Sequence, residues 1–271
     1  MIGALRPELH RYCARLTGSV IEGEDIVQDA LARAFYALSL QADVPALRPW
    51  LFRIAHNAAL DHLKRHGRKY TDLYAEVEDV AGFDEPPEPA ALRAALARFL
   101  ALPVAQRSAV ILKDVLGHSL EETAEIMETT VMAIKAALVR GRSGLREAER
   151  REPAAIDARA RESLDRYASL FNARDWEGLR ALVAADCKLD LVSKSQRRGK
   201  AVGMYFTRYE REDIRMQVMR LEGRLVLAAF LPETTRPSYF LLLDWDGGLV
   251  TSIRDFRYVP YIASEAELEP A

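Results

Sequence analysis

Apolar side chains recur every three or four positions through most of the first 150 residues and alternate in short runs only beyond about residue 185. The first regime is the helical period and the second that of strands. Leu5, Leu9, Tyr12, Cys13 and Leu16 form one helical stripe; Ile26, Val27, Ala30, Leu31, Ala34 and Phe35 form another, and Thr17-Gly18-Ser19 separates them. A further helix is predicted over Arg48 to Lys69, after a loop containing Pro45 and Pro49. Leu51, Ile54, Ala55, Ala58 and His62 make its packing face, and Arg53, Asn57, Asp61 and Lys64 lie on another. It runs out in Lys64, Arg65, Arg68 and Lys69, a positive end that suits both the helix dipole and a phosphate backbone.

The period then vanishes. Thr71 to Pro89 carries seven acids, no Lys or Arg and the prolines of EPPEP, which predicts a flexible acidic linker able to span ~65 Å when extended. Helix resumes at Ala90 and is expected to stop at Pro103. A second helical run, VAQRSAVILKDVL, leads to a turn at Gly117-His118. Ser119 and Glu122 have the spacing of a capping box, starting a short helix that ends near Met127. Thr130 can cap a longer one with Val131, Ile134, Leu138 and Leu145 inward and Lys135, Arg140, Arg142 and Arg146 outward. Short helix, tight turn and longer basic helix are the plan of a helix-turn-helix.

From about residue 156 two helices precede the strand-like runs CKLDLV, DIRMQVMRL, RLVLAAFL, SYFLLLDW and LVTSIRDFRYV, with a helical AVGMYFTRY between the first two. Turns fall at Glu222-Gly223, LPETTRPS and Asp246-Gly247-Gly248. Helices followed by antiparallel strands predict an α+β domain.

Composition narrows the class. The 271 residues are 49% hydrophobic and 29% charged, with a net charge of −2, which describes a globular chain of two or three domains. No apolar run approaches the ~18 residues of a membrane span, and MIGALRPELHRYCARL is broken by charge, so a cytoplasmic location is expected. Cys13 and Cys187 are too few and too far apart for a metal site or an expected disulfide. A mean charge near zero argues against nucleic acid until its segregation is seen. Positive charge gathers on either side of the acidic segment, and local sign decides what a surface attracts.

These parts, in this order, resemble a bacterial RNA polymerase sigma factor of the extracytoplasmic-function group. HRYCARLTGS, EDIVQDALARAF and WLFRIAHNAALDHLKR are similar to region 2, and LPVAQRSAVILKDVLGHSLEETAEIMETTVMAIKAALVRGRSGLRE to region 4. The resemblance implies all-α regions over 1–70 and 90–150, joined by the linker 71–89. Their partners would be core RNA polymerase and promoter DNA, with no cofactor or metal and no catalytic residue. Glu24, Asp25, Gln28 and Asp29 would dock on the clamp helices of the largest polymerase subunit. Asn57 would act where a base flips from the melted minus-ten strand, while Arg53, His56, Lys64, Arg65 and Arg68 hold phosphates. Trp50 either stacks near that strand or joins the core. The helix from Thr130 would enter the major groove at the minus-thirty-five element, Lys135 reading bases and Arg140 and Arg142 contacting phosphates. The sequence departs from the family at Glu128, where the turn usually has Gly. It also departs at Ala136 and Ala137, which replace polar or basic residues and would leave upstream specificity either loose or resting on DNA shape.

Residues 156–265 are similar to the SnoaL-like cone-shaped domains that extend some of these sigma factors. Such domains are α+β with a curved antiparallel sheet and a pocket, and some are enzymes that use a pocket Asp. Asp190, Tyr209, Arg254, Asp255 and Arg257 are the polar residues expected in that pocket. The favoured role is regulation in cis. The alternative is a ligand-binding or enzymatic SnoaL-like protein, with a small molecule in the cone, tethered to DNA or polymerase by its helices.

Overall fold

The computed structural model describes residues 2–40, 46–65, 99–147 and 158–271. The expected linker 71–89, the start of the helix at Ala90, Arg68 and the segment AERREPAAIDA lie wholly or largely outside them. The chain divides into two compact units, Met1–Glu152 and Pro153–Ala271.

The first unit is helical. Helices α1 (Ile2–Thr17) and α2 (Val20–Leu40) meet at Gly18, whose φ of 77° is the left-handed conformation that glycine adopts without strain. The Gly18 N–H donates to the carbonyl of Ala14 at 2.7 Å, closing α1, and Ser19 Oγ accepts from the Glu22 N–H, starting α2. Gly23 lets the two helices approach closely, since a Cβ there would come within 2.6 Å of the Ala14 nitrogen. Helix α3 (Leu47–Arg65) packs its Leu51, Phe52, Ala55, Ala58 and Ala59 face against both.

Beyond the undescribed segment come α4 (Val104–Val110), continued by one π-helical turn at Ile111–Val115, then α5 (Leu120–Ile126) and α6 (Val131–Glu147). Both halves of the capping box form: Ser119 Oγ accepts from Glu122 N–H, and the Glu122 carboxylate accepts from Ser119 N–H at 2.8 Å. Thr130 Oγ accepts from the Ala133 N–H, capping α6. A single core runs through all six helices, from Leu9 and Tyr12 through Phe52 to Val110, Ile134 and Leu145. The two helical segments are therefore halves of one unit.

The second unit starts with α7 (Ala158–Asn172) and α8 (Trp176–Ala181), capped by Asp175. Strands β1 (Val183–Leu191) and β2 (Ser195–Arg198) follow, then a 3₁₀ turn and α9 (Gly203–Tyr209). Next come β3 (Arg215–Leu221), β4 (Arg224–Phe230), β5 (Tyr239–Asp246) and β6 (Leu249–Asp255), and last α10 (Tyr261–Glu265) and β7 (Leu268–Pro270). The described strands form one sheet in the order β2-β1-β6-β5-β4-β3-β7. Every pairing is antiparallel except β1 with β6, a departure from the all-antiparallel expectation. The connection from β1 to β6 passes through the whole domain, so nothing forces those neighbours to run oppositely. Bulges in the β1–β6 and β5–β6 ladders curve the sheet. One face packs on α7 and α9, burying Tyr167, Phe171, Phe206, Leu227 and Ile253. Among the described residues no helix is long and apolar enough to cross a membrane.

Candidate polymerase and promoter surfaces

Helix α2 turns Asp25 and Asp29 outward and half-buries Gln28, but it buries Glu24 completely. The close α1–α2 approach at Gly23 points the next side chain at α1, where Glu24 pairs with Arg6. A carboxylate held that way cannot also meet a protein partner, which corrects the expectation for Glu24. Asp29 pairs with Arg33 at 2.7 Å, and Arg33 reaches across to Asp61 of α3 at 3.4 Å. Around that bridge lies a groove of about 620 Å3 lined by Asp25, Asp29, Arg33, Asp61, Lys64 and Arg65. The acidic surface of α2 and the basic end of α3 are thus adjacent.

On α3, Lys64 and Arg65 are exposed, and Arg53 and Asn57 are half-buried. His56 is not available to a phosphate. It is 2% exposed, with Nδ1 2.6 Å from the Tyr12 hydroxyl, because a residue one position before Asn57 points a quarter-turn away, into the bundle. Burial lowers its pKa to about 4, so the ring is neutral. Trp50 is half-buried and packed against the shared core.

On α6, Thr130, Lys135 and Arg140 are exposed, with Met132 beside them. Arg142 is committed elsewhere: its guanidinium donates to both oxygens of Asp114 at 2.9 and 2.8 Å, and both side chains are largely buried. That ion pair fixes α6 to the π-helical turn and removes Arg142 from the phosphate contacts. Ala136 and Ala137 are each 7% exposed. They lie on the packing face, so the absence of longer side chains there takes nothing from an outward-facing base reader. Glu128 adopts a φ of 52°, the left-handed conformation that explains why the turn favours Gly.

Two clusters, one around the buried Arg107 and one around the half-buried Arg48, join the halves of this unit, and sequence reasoning did not single them out. Arg107 donates to the carbonyls of Leu16, Leu102 and Leu100. Arg48, at the start of α3, donates to Glu8, to the Leu116 carbonyl and to Nδ1 of His118, and stacks over Phe52. An accepting Nδ1 requires a neutral His118; burial and then the Arg48 charge lower its pKa to about 4.

In the second unit the register separates residues that the sequence grouped. Asp190 and Arg254 are partners on adjacent strands and pair at 3.4 Å, on the face opposite Asp255, because successive strand residues alternate sides. Asp255 is 1% exposed. Its carboxylate accepts from the hydroxyls of Tyr205 and Tyr209, each at 2.9 Å, and from the Arg257 N–H at 2.8 Å. Burial raises its pKa, against the pull of those donors. Arg257 donates to Tyr239 at 2.7 Å and to Glu212 at 2.6 Å. Tyr205 belongs with Tyr209, and their four-residue spacing on α9 is the signal that would have found it.

Residues 1–69 match the model of Sigma-70 region 2, and residues 92–145 that of Sigma-70, region 4. The extracytoplasmic-function sigma factor SigG of Mycobacterium tuberculosis is 31% identical over 67% of this chain, but the alignment spans only 57% of SigG. SigM of M. tuberculosis is 36% identical over 51% of the chain and 69% of SigM, and the sigma-H factor of Pseudomonas aeruginosa is 31% identical over 47% and 72%. The crystal structure of M. tuberculosis SigJ aligns over 95% of this chain and 96% of that one, at 22% identity and a TM-score of 0.38. The chain belongs to the extracytoplasmic-function RNA polymerase sigma factors.

Proposed function

We propose that the chain binds core RNA polymerase, recognises promoter DNA and directs transcription initiation, with its C-terminal α+β domain regulating it in cis rather than acting as an enzyme. The observation that carries this reading is the match to both sigma regions in one chain, with exposed side chains on the helices that need them. Asp25 and Asp29 offer charge to basic residues of the polymerase. Asn57 reads a base extruded from the melted strand, and Arg53, Lys64 and Arg65 hold phosphates around it. Lys135 reads a major-groove base edge beside Arg140.

Promoter binding requires the helical unit to open. Promoter elements about 17 base pairs apart are ~58 Å apart along the duplex. A compact body of ~150 residues has a radius of gyration of only about 15 Å. Helices α3 and α6 share one core and cannot reach both elements while that core is intact. The closed unit is a resting form, held by the contacts of Arg48 and Arg107 and by the Tyr12 hydroxyl, which reaches Ser108 Oγ of α4 at 3.4 Å.

The test compares the full chain with one ending after Glu152, in initiation with core polymerase on a promoter pool. Regulation in cis predicts different transcript yields from the two, and equal yields remove it. A ligand-sensing version of the regulation is favoured by the cavity beside Asp255.

A further inference from the structure

A cavity of about 120 Å3 opens in the second unit between the β1–β2 hairpin, α9 and the end of β6. Leu189 and Leu191 supply apolar wall, and Tyr205 and Asp255 form the floor. Its mouth carries Lys194, Arg197, Arg208 and Arg257. Against these four cations the cavity is lined by one carboxylate, that of Asp255, which is already satisfied by three protein donors.

The cations differ in how far the protein neutralises them. Arg257 is held by Glu212 and Tyr239, and Arg208 reaches Glu212 at 3.2 Å and the Tyr258 hydroxyl at 2.6 Å. Lys194 sits 4.1 Å above the Tyr258 ring, a contact that orients an ammonium without cancelling its charge. Arg197 has no ion-pair partner among the described residues. Two positive charges at the mouth are therefore uncompensated, above a pocket with an apolar wall.

We propose that this cavity binds a small organic anion, its apolar body against Leu189 and Leu191 and its charged end between Lys194, Arg197 and Arg208. The site rests on the reading of the C-terminal domain as a sensor that regulates in cis. Lys194 lies in the β1–β2 turn, Arg197 on β2 and Arg208 on α9, so a bound anion draws a hairpin and a helix together.

Calorimetric titration of the full chain tests this with acetate, hexanoate and benzoate as anionic probes, inorganic phosphate as an anion without an apolar body, and hexan-1-ol as a neutral one. Saturable one-to-one binding of hexanoate or benzoate is expected, at least tenfold tighter than of phosphate or hexan-1-ol. Arg197→Ala and Arg208→Ala should each weaken it at least fivefold. Arg197 is exposed and makes no contact on which folding depends, so its variant remains informative if Arg208→Ala unfolds. No saturable binding by any of the carboxylates, equal binding of hexan-1-ol, or affinity unchanged in Arg197→Ala would overturn the site. Transcription with core polymerase, with and without the bound carboxylate, separates site from role. Binding without a change in yield leaves the anion site standing and removes the sensor reading.

Discussion

Nδ1 of His118, in the turn before α5, lies 3.1 Å from a guanidinium nitrogen of Arg48, at the start of α3. The first residue belongs to the half of the helical unit that carries α6, the second to the helix that carries Asn57. Arg48 also binds the Leu116 carbonyl and Glu8, so one side chain closes three contacts across the unit. Substituting Arg48 with Ala leaves an acceptor on His118 and a carbonyl on Leu116 unmet, a loss of about 2–4 kcal/mol. Hydrogen exchange should show α3 and α5 losing protection together while the C-terminal domain is unchanged. Because the closed form is the one destabilised, core polymerase should bind this variant more tightly than the native chain. Weaker binding, with fold retained, would contradict the closed resting form.

Acid should loosen the same unit. Folded His56 is neutral down to about pH 4, whereas in the unfolded chain it protonates near 6.5. A depressed histidine pKa means that the stability it carries is complete above about pH 6.5 and is lost as pH falls towards 4. The full shift amounts to roughly 3 kcal/mol. Thermal melts between pH 7 and 4 should show this fall, with His118, faced by Arg48, Glu8 and Glu122, contributing in the same window. His56→Gln keeps a partner for Tyr12 and removes the titration, so its melting temperature should change less with pH.

Arg140 and Arg142 look equivalent in the sequence and should behave oppositely. Arg142→Ala strands the largely buried Asp114 and should cost about 3 kcal/mol of stability. Arg140→Ala should leave the melting temperature within ~0.5 kcal/mol of native while weakening DNA binding across sequences and reducing the salt slope by about one. Melting curves and salt titrations of binding read both.

Glu128 occupies a left-handed position at a cost of about 1 kcal/mol to an L-residue. Glu128→Gly should therefore stabilise the chain by up to about 1 kcal/mol in denaturant titration, the larger freedom of glycine in the unfolded chain offsetting part of it. No gain, or a loss, would mean that the Glu128 side chain makes a compensating contact.

The helix-turn-helix was legible because its signals are local. The Ser119–Glu122 box, the Thr130 cap and the apolar stripe of α6 each lie within one or two turns of chain, and the structure forms all three. Glu24, His56 and Arg142 were misjudged for the opposite reason. Each is a polar residue whose partner, Arg6, Tyr12 or Asp114, is 18 to 44 positions away, and helical period alone does not say that a polar side chain is buried. The same holds in the sheet. Asp190 and Asp255 share a strand pair, but only the alternation along β1 and β6, with the register between them, decides that one faces the cavity and the other does not.

Promoter opening through α3 is tested most directly by measuring strand separation with core polymerase and a selected promoter, using the fluorescence of a base analogue in the minus-ten element. The full chain should open the duplex. Asn57→Ala should reduce the opened fraction at least tenfold while changing duplex binding less than twofold, and Lys64→Ala should lower binding and its salt dependence without a specific loss of opening. Failure of the native chain to open any promoter with core polymerase, or equal and small effects of the two substitutions, would contradict the account.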